Sequence, residues 1–214
     1  LLSSDGDAIP ANAGAGATIT TTLQAAFGYS REELVVLFRP MWQDGIEAIG
    51  SMGDDTPVAV LSDLPRPLFH YFYQRFAEVT NPPIDPLREA QVMTLAQRLG
   101  RRTSLLSRGP EVARLLELHS PVLSNEHVQV IRELRHYLAP GQAEDYQAVT
   151  IDTTWPVADG VDGLEAAVKR LCNEAVAVVK AGASLLILSD KGLNAHRTLI
   201  PSLLATSAVH QRLI

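Results

Sequence analysis

Three consecutive stretches, VTIDTTW at 149–155, residues 163–181 and the apolar run Leu185–Leu188, constrain the fold of this chain more than any other part of it. Val149, Thr150, Ile151, Thr153 and Thr154 are β-branched, and such side chains suit a pleated sheet better than a helix. Gly163–Ala181 carries Leu164, Val168, Leu171, Ala175 and Val178 at helical spacing and runs into Gly182, a residue that stops helices. Leu185–Leu188 shows no polar alternation, the pattern of a strand covered on both faces in a parallel sheet. Strand, helix and strand over this length predict a βαβ unit with a right-handed crossover. The predicted class is α/β: a parallel sheet with βαβ units flanked by helices, and a helix-rich N-terminal half. A polar turn follows Leu188, and a last helix is expected from about Pro201.

Ahead of this core, Leu1–Thr22 is rich in Gly, Ala, Ser and Thr and reads as a flexible linker or appended segment. Its Gly14-x-Gly16 lacks the third glycine and the preceding strand of a dinucleotide fingerprint. The first residue is Leu rather than Met, so the chain is expected to be a fragment or a processed product, with its folded domain at 23–214. Ser30 and Glu33 have capping-box spacing and launch a helix that Pro40 is expected to end. Leu68, Phe69, Phe72, Phe76 and Val79 recur at 3–4 residue intervals, predicting a core-facing helix over 65–79. The prolines in Thr80–Pro86 (TNPPIDP) fix φ and make a stiff extended segment. Further helices are predicted over 89–99, closed by Gly100, from Pro110, and over 124–138, capped by Ser124 or Asn125 and stopped by Pro140-Gly141.

The chemistry of the sequence excludes more than it assigns. With 18 Lys+Arg against 24 Asp+Glu and a net charge of −6, nothing favours nucleic acid, and Arg101-Arg102 reads as a solvated pair. The single cysteine, Cys172, lies inside the long helical pattern and reads as a structural thiol. The six histidines are dispersed without a helical metal-binding pair, and neither a P-loop nor a nucleophile elbow is present. No stretch approaches the roughly 18 apolar residues of a membrane span. Without a signal-peptide pattern either, the protein is expected to be cytoplasmic. Ser189, Asp190 and Lys191 stand where a parallel strand ends, the usual crevice for α/β ligands. Two readings of Asp190 stand: a small-acid or phosphate site, or a turn cap paired with Lys191 or Arg197. Three stand for Asp54-Asp55 in the glycine-dense GSMGDD loop: a solvated turn, a loop pressed on a partner surface, and last a metal site, which lacks the periodic oxygen ligands of a calcium loop. His196 is read as an exposed turn residue or an anion contact.

Several blocks, FGYSREEL, PMWQDGIEAIGSMGDDTPVAVLSD, FAEVTNPPIDPLRE, LHSPVLSNE and LLILSDKGLNAHRTLIPSLLATSAVHQRLI, occur in an order that resembles the central domain of the glutamate synthase large subunit. The resemblance covers Leu23 to Ile214. It implies a non-catalytic α/β spacer between a glutamine amidotransferase domain and an FMN-binding synthase domain, contributing part of an ammonia tunnel wall. It also implies that FMN and an iron–sulfur cluster belong to the parent enzyme and not to this segment, which alone would be inactive. The parent makes two glutamates from glutamine, 2-oxoglutarate and reductant. Carried over by motif, Met52 in GSMG and Thr80 in VTNPP are the tunnel-facing candidates, with Ser51, Gly53 and Asn81 as their neighbours. Cys172 is mid-chain and cannot be the family's N-terminal nucleophile. Where the family often has a run of histidines near its last helix, this chain has His210-Gln211-Arg212.

Overall fold

Among the described residues helices begin at the Ser30, Asp85 and Ser124 caps, whereas Pro40 does not stop one; the helix expected from Pro110 lies outside the described residues. The computed structural model describes residues 15–48, 57, 59–62, 66–72, 84–101, 104, 106, 109, 115–142 and 146–214. A first helix, α1 (Ala15–Ala26), begins within the stretch expected to be linker. At α2 (Arg31–Glu33) the Glu33 N–H donates to the Ser30 hydroxyl, while the Ser30 N–H donates to the Glu33 carboxylate, a complete capping box. Pro40 does not end the rod that follows. The chain widens into π-helical turns at Leu34–Phe38 and Pro40–Asp44, in which the Arg39 N–H reaches Leu34 and the Gly45 N–H reaches Pro40. Pro40 has no N–H to offer an α-helical ladder, and it sits at the junction of the two wide turns. Gly45, at φ 63°, closes the rod in the left-handed conformation.

The helix expected over 65–79 is corrected in its described part. Leu68–Tyr71 makes one 3₁₀ turn, and Phe72 is already extended at φ −98°, ψ 139°. The helix expected over 89–99 lies earlier, as α3 (Pro86–Val92). Asp85 caps it by accepting from the Leu87 and Arg88 N–H groups, and Pro86 occupies the first turn, where a missing N–H costs nothing. The second half of that stretch is instead β1 (Gln97–Leu99), paired antiparallel with β2 (Leu116–Leu118). Strands of three residues, half of them exposed, carry too little alternation to be read from sequence.

From residue 124 onward the sequence pattern and the structure converge. Helix α4 (Asn125–Tyr137) is capped by Ser124, whose hydroxyl accepts from the His127 N–H, and it packs against β3 (Ala148–Asp152). The β-branched run is one chain path with two partners. β3 pairs parallel with β5 (Leu185–Ser189), whereas β4 (Thr154–Pro156) pairs antiparallel with β6 (Arg197–Leu199). Thr153 is the switch: its N–H donates to the Ser189 carbonyl, and its own carbonyl accepts from Ile200. Between β3 and β5 runs α5 (Asp162–Lys180), closed by Gly182 at φ 105°. The last helix, α6 (Ser202–Leu213), follows Pro201 and packs on α5.

The architecture is thus mixed α/β, with small two-stranded sheets, parallel and antiparallel, among the described residues. One expectation is corrected here: Leu185–Ser189 is half-buried along its whole length and not covered on both faces. The core comprises Ile151, Leu171, Ala175, Ile200, Ala205 and Val209, together with Ala167. Three of these are alanines on α5 and α6, small side chains that let the two helix backbones approach closely.

Candidate functional site

The ends of β3 and β5 gather a set of polar side chains that hydrogen-bond one another. Asp152 and Ser189 are register partners at the last position of the parallel pair. One Asp152 carboxylate oxygen accepts from both the Thr154 N–H and the Thr154 hydroxyl, each at 2.8 Å. The other accepts from the Arg197 guanidinium at 2.9 Å. Arg197 also donates from Nε to the Thr154 hydroxyl at 2.8 Å and from Nη2 to the Thr154 carbonyl at 2.8 Å, the planar fork reaching three acceptors. From α5, Arg170 donates to the carbonyls of Asp152 and Thr154 and pairs with Glu174. Gly192 lies so close that an added Cβ would stand 2.9 Å from the Thr154 hydroxyl and 3.3 Å from the Asp152 carboxylate.

Electrostatics follow this geometry. Burial pushes the Asp152 carboxyl up, but the two Thr154 hydrogen bonds and the Arg197 and Arg170 charges outweigh it and hold it below the ordinary carboxylate range. The result is a clasp holding the β5–β6 turn against β3, β4 and α5.

The residues expected at this strand end behave as turn residues. The Ser189 hydroxyl accepts from the Lys191 N–H at 3.4 Å, and the Asp190 carbonyl accepts from Leu193. The anticipated partner of Asp190, Arg197, is taken by Asp152 instead. His196 is exposed in the turn, its N–H donating to the Asn194 side chain. Cys172 is half-buried on α5.

Asp190 does border a cleft of about 230 Å³, walled by the end of α1, by Arg66–Phe69 and by Pro201–Leu203. Its lining is mainly apolar, with Tyr29 and Arg66 as the other chief polar groups. Burial, then the negative charges of Asp190 and Glu33, push the Tyr29 phenol up. A carboxylate that already raises its neighbour's pKa is a poor wall for a phosphate or small acid. Glu33 is held low against its own burial by the Ser30 hydrogen bonds and by His70, 3.2 Å away.

Met52, Thr80, Ser51, Gly53 and Asn81, the tunnel candidates, all lie outside the described residues. Among the described residues no group of three His, Cys, Asp or Glu side chains could hold a metal ion, and no helix is long and apolar enough to cross a membrane. Sequence reasoning missed the clasp itself: nothing in VTIDTTW announces that Asp152 meets a residue 45 positions later.

Residues 22–214 match the family described as the glutamate synthase central domain. The chain belongs to that family. It is 46% identical over 191 residues to the glutamate synthase [NADPH] large chain of Azospirillum brasilense, covering 89% of this chain and 12% of that one. It is likewise 46% identical over 195 residues to ferredoxin-dependent glutamate synthase 2 of Synechocystis, with 89% and 12% covered. Over 189 residues it is 39% identical to glutamate synthase [NADH] of Schizosaccharomyces pombe, with 88% and 9% covered. The chain therefore spans about an eighth or less of the length of these relatives, which carry three different reductant names.

Proposed function

We propose that this chain is the connecting domain of a glutamate synthase, spacing a glutamine amidotransferase domain from an FMN synthase domain and supplying part of the wall along which ammonia passes. The observation that carries the reading is a match over 22–214 to a family whose members occupy only a small fraction of much longer chains. The strand end, where Asp152, Thr154 and Arg197 bond one another, supports it, because a spacer needs a rigid element more than it needs reactive groups. In this reading β3, α5 and β5 form one βαβ unit with a right-handed crossover, the rigid part of the spacer. The flavin and the iron–sulfur cluster, and with them the chemistry from glutamine and 2-oxoglutarate to two glutamates, belong to the rest of the cytoplasmic parent chain. This domain contributes no catalytic side chain.

The tunnel wall falls to the glycine-dense loop and the proline-locked segment. Glycines permit close backbone approach, and prolines keep a wall from collapsing at little entropic cost. The test is a full-length glutamate synthase carrying this domain, with Met52→Trp and Thr80→Phe introduced separately. Glutamine hydrolysis is expected to persist while glutamate formation falls, so the ratio of glutamine hydrolysed to glutamate formed rises severalfold. An unchanged ratio in both variants removes these residues from the wall.

A further inference from the structure

Leu185–Leu188 has the unbroken apolar run of a strand with neighbours on both sides, and neither a charge nor a proline to guard an edge. Yet among the described residues β5 pairs with β3 alone. Its hydrogen bonds say which edge is open. The Leu185 N–H donates to the Gln147 carbonyl, and the Thr153 N–H donates to the Ser189 carbonyl, one bond at each end of the parallel pair. Main-chain groups alternate sides along a strand, so Leu185, Ile187 and Ser189 face β3, while the N–H and C=O of Leu186 and Leu188 point away from it. The far edge of β3 is closed at its end by α5, where Arg170 donates to the Asp152 and Thr154 carbonyls. The far edge of β5 has no counterpart of that arginine among the described residues.

The position of the helices names the occupant. Val149 and Ile151, with their register partners Leu186 and Leu188, pack on one core with residues of α5 and α6, so both helices cover the same face of the pair. The right-handed crossover read for β3, α5 and β5 fixes a direction across that face. A second right-handed crossover, through α6, carries the chain one step further the same way, to the open edge of β5. We propose that this edge takes one parallel strand, formed by the polypeptide directly after α6 in a glutamate synthase large chain. The proposal rests on reading this chain as a segment of such an enzyme, whose relatives carry the segment as 12% or less of their length. Loops from helix to strand in α/β units run to about 2–6 residues, so the strand begins within about ten residues of Ile214.

Residue-resolved hydrogen exchange on the 214-residue chain and on a full-length glutamate synthase carrying it tests the edge. In the short chain the Ile187 amide, bonded to β3, is expected to exchange about tenfold or more slowly than those of Leu186 and Leu188. In the full polypeptide all three are expected to be slow. There Leu188→Pro, which takes away an outward N–H, should free the Leu186 amide and leave Ile187 protected, while Leu188→Ala should leave both protected. A diazirine leucine analogue at Ile187 of the full polypeptide tests the occupant, and its cross-links are expected to include the first fifteen or so residues after Ile214, about the reach of that loop and strand. Fast Leu186 and Leu188 amides in the full polypeptide overturn the proposal. So do slow ones in a short chain that is monomeric by light scattering, because the segment then covers its own edge. Slow ones in a dimeric short chain overturn it in favour of a second copy, and cross-links that miss the stretch after Ile214 overturn it too. Coupling of glutamine hydrolysis to glutamate formation is a separate readout, so the edge strand and the tunnel wall fail independently.

Discussion

Arg197 illustrates what a single side chain does in this fold. Its guanidinium reaches the Asp152 carboxylate, the Thr154 hydroxyl and the Thr154 carbonyl at 2.8–2.9 Å, joining the β5–β6 turn to the end of the parallel pair. A lysine could keep the charge but not the planar fork, so Arg197→Lys is expected to cost about 1–2 kcal/mol in denaturant unfolding, the worth of one or two hydrogen bonds. The pH dependence has a definite sign. Because the folded state holds the Asp152 carboxyl below its unfolded value, its stabilising contribution is present above about pH 4 and is lost as pH falls through the lower folded value. Asp152→Asn should therefore destabilise the chain at neutral pH, and its difference from the unsubstituted protein should shrink under acid conditions. A difference constant from pH 7 to acid would refute the clasp. None of this was legible in the sequence, where Arg197 offered itself equally to Asp190. Local chemistry such as the Ser30 and Ser124 caps can be read from spacing, but a contact across 45 positions is decided by which strands pair.

At the scale of elements, α5 shows packing overriding intrinsic propensity. Gly163 sits in its first turn, and a Cβ there would stand 2.5 Å from the Asp159 Cβ and 2.7 Å from the Trp155 ring. Alanine would gain at most about 1 kcal/mol of helix propensity, and less this near the end. Overpacking against a ring and a 3₁₀ turn typically costs about 1–3 kcal/mol. Gly163→Ala is thus expected to lower the unfolding midpoint and to shift Trp155 fluorescence. A stabilised variant would show that the ring is free to move aside. The elements legible from sequence, α4, α5, β5 and α6, are those with a long period or an unbroken apolar run. Those missed, β1, β2 and β6, have three residues each and no period of their own. The β-branched stretch was recognised as extended, but its change of partner at Thr153 leaves no mark in the composition.

Across the whole molecule, the uneven core sets the order in which the chain should open. α4 lies against β3, α5 and α6 pack on each other, and the buried residues run from Ile131 to Val209. Among the described residues the rod is tied to the rest by few bonds, such as the Ser120 hydroxyl donating to the Met41 carbonyl at 3.0 Å and His70 meeting Glu33 at 3.2 Å. Local opening is cheapest where few apolar contacts are broken. Limited proteolysis of the 214-residue chain should therefore cut first between Phe27 and Arg101, leaving a resistant product that begins near Ser124 and retains α4 through α6. The measurement needs only the masses of the early fragments. First cuts within α5 or β5, or an N-terminal half that survives after the C-terminal half is gone, would mean that the core seen over 151–209 is not what holds the molecule together.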